Sequence, residues 1–127
     1  MRGSQHVATV WVLSMALGAS AVHAGDPTGA AVFKQNCAPC HSLRPGVHRY
    51  APSLAGVMGR QAGTLPSFEY SEALTKSGLI WTNETLEPWL RDPHGAVPGS
   101  RMPFEGLANP EQRRAVIELL ERENAAR

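Results

Sequence analysis

The chain has no third cysteine: Cys37 and Cys40 stand alone, three positions apart. Downstream of residue 24 only His41, His48 and His94 remain as histidines, so a structural zinc site would have to draw its further ligands from these three. Charge of one sign is also missing, with 12 Lys and Arg against 11 Asp and Glu over 127 residues. That balance removes the usual ground for nucleic acid or an anionic membrane as partner, since either calls for a basic excess or stripe. No segment alternates apolar and polar residues as a half-buried strand does, which leaves little or no sheet. What is present, 43% apolar and 18% charged residues, fits one ordinary globular domain and neither disorder nor a repeat array.

The opening residues stand apart from that domain. Met1 to His6 carries Arg2, an uncharged apolar run follows from Val7 to Val22, and the segment ends on Val22-His23-Ala24. This is the layout of a secretory signal peptide with a small-residue cleavage site. Thr9, Ser14, Gly18 and Ser20 interrupt the run, which makes it only marginally long enough for a retained membrane anchor. The expectation is a signal peptide over 1–24, cleaved after Ala24, and an exported, periplasmic domain over 25–127 with no membrane span. That domain holds eleven cations and eleven anions and is formally neutral.

Four stretches read as helix. The first follows Asp26-Pro27, an Asp cap with Pro at the first helical position, runs to about Asn36 and places Ala30, Phe33 and Cys37 on one face. A second, about two turns long, takes Ser71 as its cap and Gly78 as its stop. A third lies between Thr82 and Asp92 with Leu86, Trp89 and Leu90 as its apolar face; Pro88 either delays its start or bends it, and Pro93 ends it. The last opens on Asn109-Pro110-Glu111 and carries Val116, Leu119 and Leu120 as one stripe almost to the C-terminus. Between them, residues 42–68 and 93–108 are rich in Gly and Pro and read as loops. Loops that long are unusual unless they bind something, and short helices joined by them bury little of each other. The shortfall in core points to a large apolar cofactor.

Cys37-Ala38-Pro39-Cys40-His41 is the attachment signature of a c-type haem. Two thiols at this spacing add to the two vinyl groups of the porphyrin, and the histidine that follows turns its imidazole under the plane to reach the iron. A disulfide redox pair of the thioredoxin kind belongs in a βαβ setting that this chain does not show, and a plain structural bridge leaves the five-residue match unexplained. The opposite iron position falls to one of two downstream methionines, Met58 or Met102. Met102 lies in Pro98-Gly99-Ser100-Arg101-Met102-Pro103-Phe104, a loop able to present a thioether without regular hydrogen bonding, whereas Met58 lies only 17 residues past His41. A lone loop methionine is by default packing material.

With the motif in place, the chain from Asp26 onward resembles a class I cytochrome c of the mitochondrial and bacterial soluble type. The resemblance rests on Cys37 to His41, then on Pro52-Ser53-Leu54-Ala55-Gly56 and Gly59-Arg60-Gln61-Ala62-Gly63. It continues through Tyr70-Ser71-Glu72-Ala73, Gly78-Leu79-Ile80-Trp81 and the Met102 loop, in matching order and approximate spacing. It implies an all-α, small cytochrome c fold, about four short helices and long loops wrapped around one covalent haem c. It implies Cys37 and Cys40 as the covalent attachment and His41 and Met102 as the axial iron ligands. It further implies that the Pro52 carbonyl accepts a hydrogen bond from His41, fixing the imidazole. Tyr70 and Trp81 would donate to a buried haem propionate, with Arg60 nearby to offset its charge, and Gly29 and Phe33 would meet Val116 and Leu119.

Departures from the family pattern stand out. Ala51-Pro52 replaces a Gly-Pro pair, and the loop back to His41 is one residue short. Trp89 takes the place of a tyrosine that hydrogen-bonds the methionine sulfur, its indole N–H standing in for the phenol, and Leu74 beside it replaces a polar residue. The ring of docking lysines is largely absent, leaving Arg44, Arg49 and Arg101 as the cations near a haem edge framed by Phe104, Ala38 and Pro39.

The function this implies is that of a monomeric single-electron carrier and not an enzyme. Iron closed on both faces has no vacant position for substrate, and a soft thioether in a dry pocket favours the ferrous state. Its partners would be redox proteins: a membrane cytochrome complex, an oxidase or a dehydrogenase. Two other readings stay open: a dedicated electron-accepting subunit of an exported dehydrogenase and, should Met102 be labile, a five-coordinate haem that binds a diatomic gas or reduces peroxide.

Overall fold

The computed structural model describes residues 28–127, so the leader and the Asp26-Pro27 pair lie outside the described residues. Five helices follow in order: α1 (Gly29–Asn36), α2 (Glu72–Lys76), α3 (Asn83–Arg91), α4 (Pro93–Ala96) and α5 (Pro110–Ala125). Among the described residues no strand forms, and Gln61 pairs with Ile80 in an isolated antiparallel bridge.

The cap of α1 is Thr28, not Asp26: its backbone is extended (φ −70°, ψ 144°) and its side chain accepts from the Ala31 N–H at 3.1 Å. Thr, like Asp, can take an orphan N–H of the first turn. The later start shifts the buried face to Gly29, Val32 and Phe33, leaving Ala30 exposed. In α2 the Ser71 hydroxyl accepts from the Leu74 N–H at 3.2 Å, and the helix is five residues long. Thr82 and Thr85 form a reciprocal capping box at the start of α3, strong enough to begin the helix at Asn83 with Pro88 in its interior.

Pro93 does end α3, but the chain restarts at once. Asp92 closes α3 through its N–H to the Pro88 carbonyl at 3.0 Å, and its carboxylate accepts from the Gly95 N–H at 2.9 Å to cap α4. The segment 93–108 is therefore not all loop, and there are five helices where the pattern gave four. Asp-Pro is a cap followed by Pro at the first position, the same local signal that Asn109-Pro110 gives for α5. In α5 the Asn109 side chain accepts from the Glu111 N–H at 2.8 Å, and Arg113, Val116, Ile117, Leu119 and Leu120 are buried.

α5 packs on both α1 and α3, and α4 packs on α3. At the α1–α5 crossing a Cβ built on Gly29 would stand 2.2 Å from the Ala115 carbonyl oxygen and 3.0 Å from the Leu119 Cβ. A backbone oxygen has nowhere to go, so Gly29→Ala forces the two helices apart and costs about 1–3 kcal/mol. Urea unfolding should show a lower midpoint at an unchanged slope. An unchanged midpoint would mean that the helices do not approach this closely in solution.

Candidate cofactor site

The three longer helices form one wall and the loops between residues 41 and 70 another, with a cavity of about 350 Å3 between them. Its lining is mainly apolar, with Leu54, Val57, Leu86, Leu90, Val116 and Leu120 among the contributors. Cys37, Cys40, His41, Pro52, Arg60, Tyr70, Trp81, Trp89, Met102 and Phe104 all line this one cavity. Met58 does not; it is half-buried against the core. Phe104 lines the cavity, and Ala38 and Pro39 are not part of the lining.

The cysteines continue the last turn of α1. The N–H groups of Cys37 and Ala38 both reach the Phe33 carbonyl at 2.8 Å, and those of Cys40 and His41 return to the Cys37 carbonyl at 3.1 and 2.8 Å. Both thiols are free. Burial pushes the Cys37 thiol up to about 11, with Cys40 adding to the effect. A dithiol redox pair needs the reverse, a thiolate favoured near neutral pH.

His41 Nδ1 lies 2.7 Å from the Pro52 carbonyl oxygen. A carbonyl only accepts, so Nδ1 carries the proton and donates, and Nε2 is left as the basic nitrogen with no protein partner. Burial holds the imidazole below its usual pKa, with the Pro52 bond working against it. The Pro52 carbonyl is itself held from both sides. Ala51 N–H donates to Cys40 O at 3.1 Å, Ser53 N–H to His48 Nδ1 at 3.0 Å and Leu54 N–H to Ser42 O at 2.8 Å. The loop that looks one residue short thus still presents the carbonyl to the ring.

Across the cavity, Trp81 is pinned by its backbone: its N–H donates to Arg60 O at 3.0 Å and its carbonyl accepts from Gly59 N–H at 2.7 Å. Its ring meets that of Trp89 at 5.2 Å and 57°. Neither indole N–H has an acceptor among the described protein atoms. Neither is sealed away either, since no fully buried polar side-chain atom among the described residues lacks a partner. Arg60 donates to Ala55 O at 2.9 Å and Ser53 O at 3.2 Å, and burial lowers its proton affinity. Burial raises the Tyr70 phenol while the charge of Arg60 opposes that rise. Arg101 lines the cavity and is exposed, donating to Glu69 O at 3.1 Å; Arg44 and Arg49 are exposed but do not line it, and Arg49 donates to Ala38 O at 3.0 Å.

Tyr50 and Phe68 also line the cavity and carry no motif; Tyr50 is 90% exposed. Its place beside Ala51-Pro52 was the only signal available. Among the described residues no group of three or more His, Cys, Asp or Glu could hold a bare metal ion. No helix among them is long and apolar enough to cross a membrane.

The family model for cytochrome c matches residues 27–122. The chain belongs to the cytochrome c family. It is 49% identical over 84 residues to cytochrome c2 iso-2 of Magnetospirillum molischianum, covering 66% of this chain and 87% of that one. Cytochrome c2 of Rhodomicrobium vannielii is 46% identical over 107 residues, covering 80% and 82%. Cytochrome cH from Methylobacterium extorquens superposes with a TM-score of 0.69 at 36% identity, covering 74% of this chain and 94% of that structure. Cytochromes c are soluble electron carriers that bind one covalent haem c and work with redox partner proteins. The residues here fit that group: free thiols three apart, an unpartnered imidazole nitrogen, a thioether and two unpaired indole donors surround one apolar cavity.

Proposed function

We propose that this cytochrome c is an exported single-electron carrier, its haem bonded through Cys37 and Cys40 and its iron held by His41 and Met102. The observation that carries the reading is that His41 and Met102 line the same apolar cavity while Met58 does not. The haem supplies reversible one-electron chemistry at its iron. Cys37 and Cys40 fix the group to the end of α1. The Pro52 bond keeps the His41 imidazole oriented and makes Nε2 a better donor. Met102 offers a soft ligand that favours the reduced state, and the apolar walls add to that preference by keeping water out. Trp81 and Tyr70 are the donors for a propionate, with Arg60 supplying the compensating charge, and Trp89 closes the pocket beside Trp81.

With His41 and Met102 both committed to the iron, the protein would transfer electrons and transform no substrate. It works as a monomer on redox proteins, a membrane cytochrome complex, an oxidase or a dehydrogenase, approached at the rim of the cavity where Phe104 and Arg101 lie, with Arg44 and Arg49 as further exposed cations. Residues 1–24 direct export to the periplasm and are removed.

The test is a preparation from the periplasm of a host with a haem-attachment system. Its intact mass should equal residues 25–127 plus one haem. The reduced protein should show sharp low-spin bands indifferent to carbon monoxide, and the oxidised protein a weak far-red sulfur-to-iron band. A high-spin spectrum that shifts with carbon monoxide would replace the carrier by a gas-binding or peroxide-reducing protein.

A further inference from the structure

Arg113 is the only charged residue among the described buried ones, 6% exposed, and the electron-carrier chemistry does not use it. It stands on α5 in helical register with Val116, Ile117 and Leu120, a position that would ordinarily be apolar. Two of its three guanidinium nitrogens are engaged at short range. Nε donates to Glu87 Oε1 on α3 at 2.7 Å, and one terminal nitrogen donates to the carbonyls of Leu107 and Ala108 at 2.6 and 3.0 Å.

Those two carbonyls close the segment that carries Met102. At its start the Ser100 N–H donates to Val97 O at 3.0 Å, and at its end the Leu107 N–H donates to Leu90 O at 2.7 Å. Between these anchors the backbone bonds only to itself, Phe104 N–H to Met102 O at 2.9 Å, with a single exposed side-chain tie from Arg101 to Glu69 O. Gly106 (φ +105°) lies so close to α3 that a Cβ there would stand 2.0 Å from the Arg91 carbonyl oxygen, so the end of the segment must sit tight on the helix.

We propose that Arg113, held by Glu87, is a positioning residue for Met102: it pins the end of the loop and so holds the thioether at the iron against displacement. The inference rests on Met102 being the ligand. Without the guanidinium, the buried Leu107 carbonyl loses its donor, the more exposed Ala108 carbonyl and the half-buried Glu87 carboxylate lose their partner, and the Leu107 carbonyl can regain a bond only by opening to water.

The experiment follows binding of added imidazole to the oxidised holoprotein, which requires Met102 to leave. Arg113→Gln should raise the binding rate roughly tenfold. Glu87→Gln should raise it less. Leu119→Ala loosens the α1 contact on the same helix and should cost stability while leaving the rate at the wild-type value. Wild-type rates in both Arg113→Gln and Glu87→Gln, or an equal acceleration in Leu119→Ala, would overturn the assignment. Should Arg113→Gln fail to fold, Glu87→Gln decides alone. The far-red sulfur-to-iron band separates the two levels: its absence from the wild type sinks the Met102 reading itself, whereas its presence with unchanged rates sinks only the role of Arg113.

Discussion

A variant carrying both Cys37→Ser and Cys40→Ser, and so unable to retain haem covalently, should lose most of its helical circular dichroism and its cooperative melting transition. The reason lies in where the core sits. Val57, Trp81, Leu86, Trp89, Leu90, Val116 and Leu120 belong to the buried cluster and also line the cavity, so the cofactor's walls and the protein's core are the same residues. Without the haem those apolar walls face water instead of the cofactor, at roughly 25 cal/mol per Å2 of apolar surface left exposed. A domain of this size has a total stability of only ~5–15 kcal/mol. Collapse offers little relief, because α2 and α4 are five and four residues long and cannot persist without what they pack on. Native-like helix content with a sharp transition in the double variant would show instead that the α1–α5–α3 packing folds unaided.

What the residues disclosed in advance, and what they did not, follows the range of the physics involved. Local chemistry was legible: Cys37 to His41, the Asn109-Pro110 start of α5 and the Ser71 cap of α2 are all written within a few consecutive residues. Competition between equally good local signals was not. Asp26 and Thr28 can both cap a helix, and only the bond from the Ala31 N–H to the Thr28 side chain shows which of them caps α1. The one-turn helix α4 is hidden because Pro93, which stops α3, is after Asp92 also a start. Contacts across long sequence distances were readable only through the family resemblance: it placed His41 against Pro52, and the structure gives that bond at 2.7 Å. Arg113 escaped because a charged residue is assigned to the surface by default. Its register with Val116, Ile117 and Leu120 was the available clue, and its three acceptors lie on parts of the chain that no local pattern connects.

Met102→Ala should produce the largest change in the cofactor's behaviour at little cost in fold. The thioether stands in a loop stabilised mainly at its ends, so its removal leaves the Leu107 and Ser100 anchors and the helices untouched. The oxidised protein should lose the far-red sulfur-to-iron band and the reduced protein should bind carbon monoxide. Its reduction potential should fall, because a soft ligand that favours the ferrous state is replaced by water, which solvates the ferric charge better. Met58→Ala is the matched comparison: it should keep the wild-type spectrum and potential and lose only about 1–2 kcal/mol, as expected for a half-buried apolar side chain. If the two variants exchanged phenotypes, the ligand would be Met58 and the loop around it, not residues 98–104, would have to swing into the cavity. That outcome is opposed by geometry, since Met102 already lines the site between Arg101 and Pro103 and Met58 does not. The pair of variants therefore tests the iron ligation and the placement of the loop in a single measurement of potential and carbon monoxide binding.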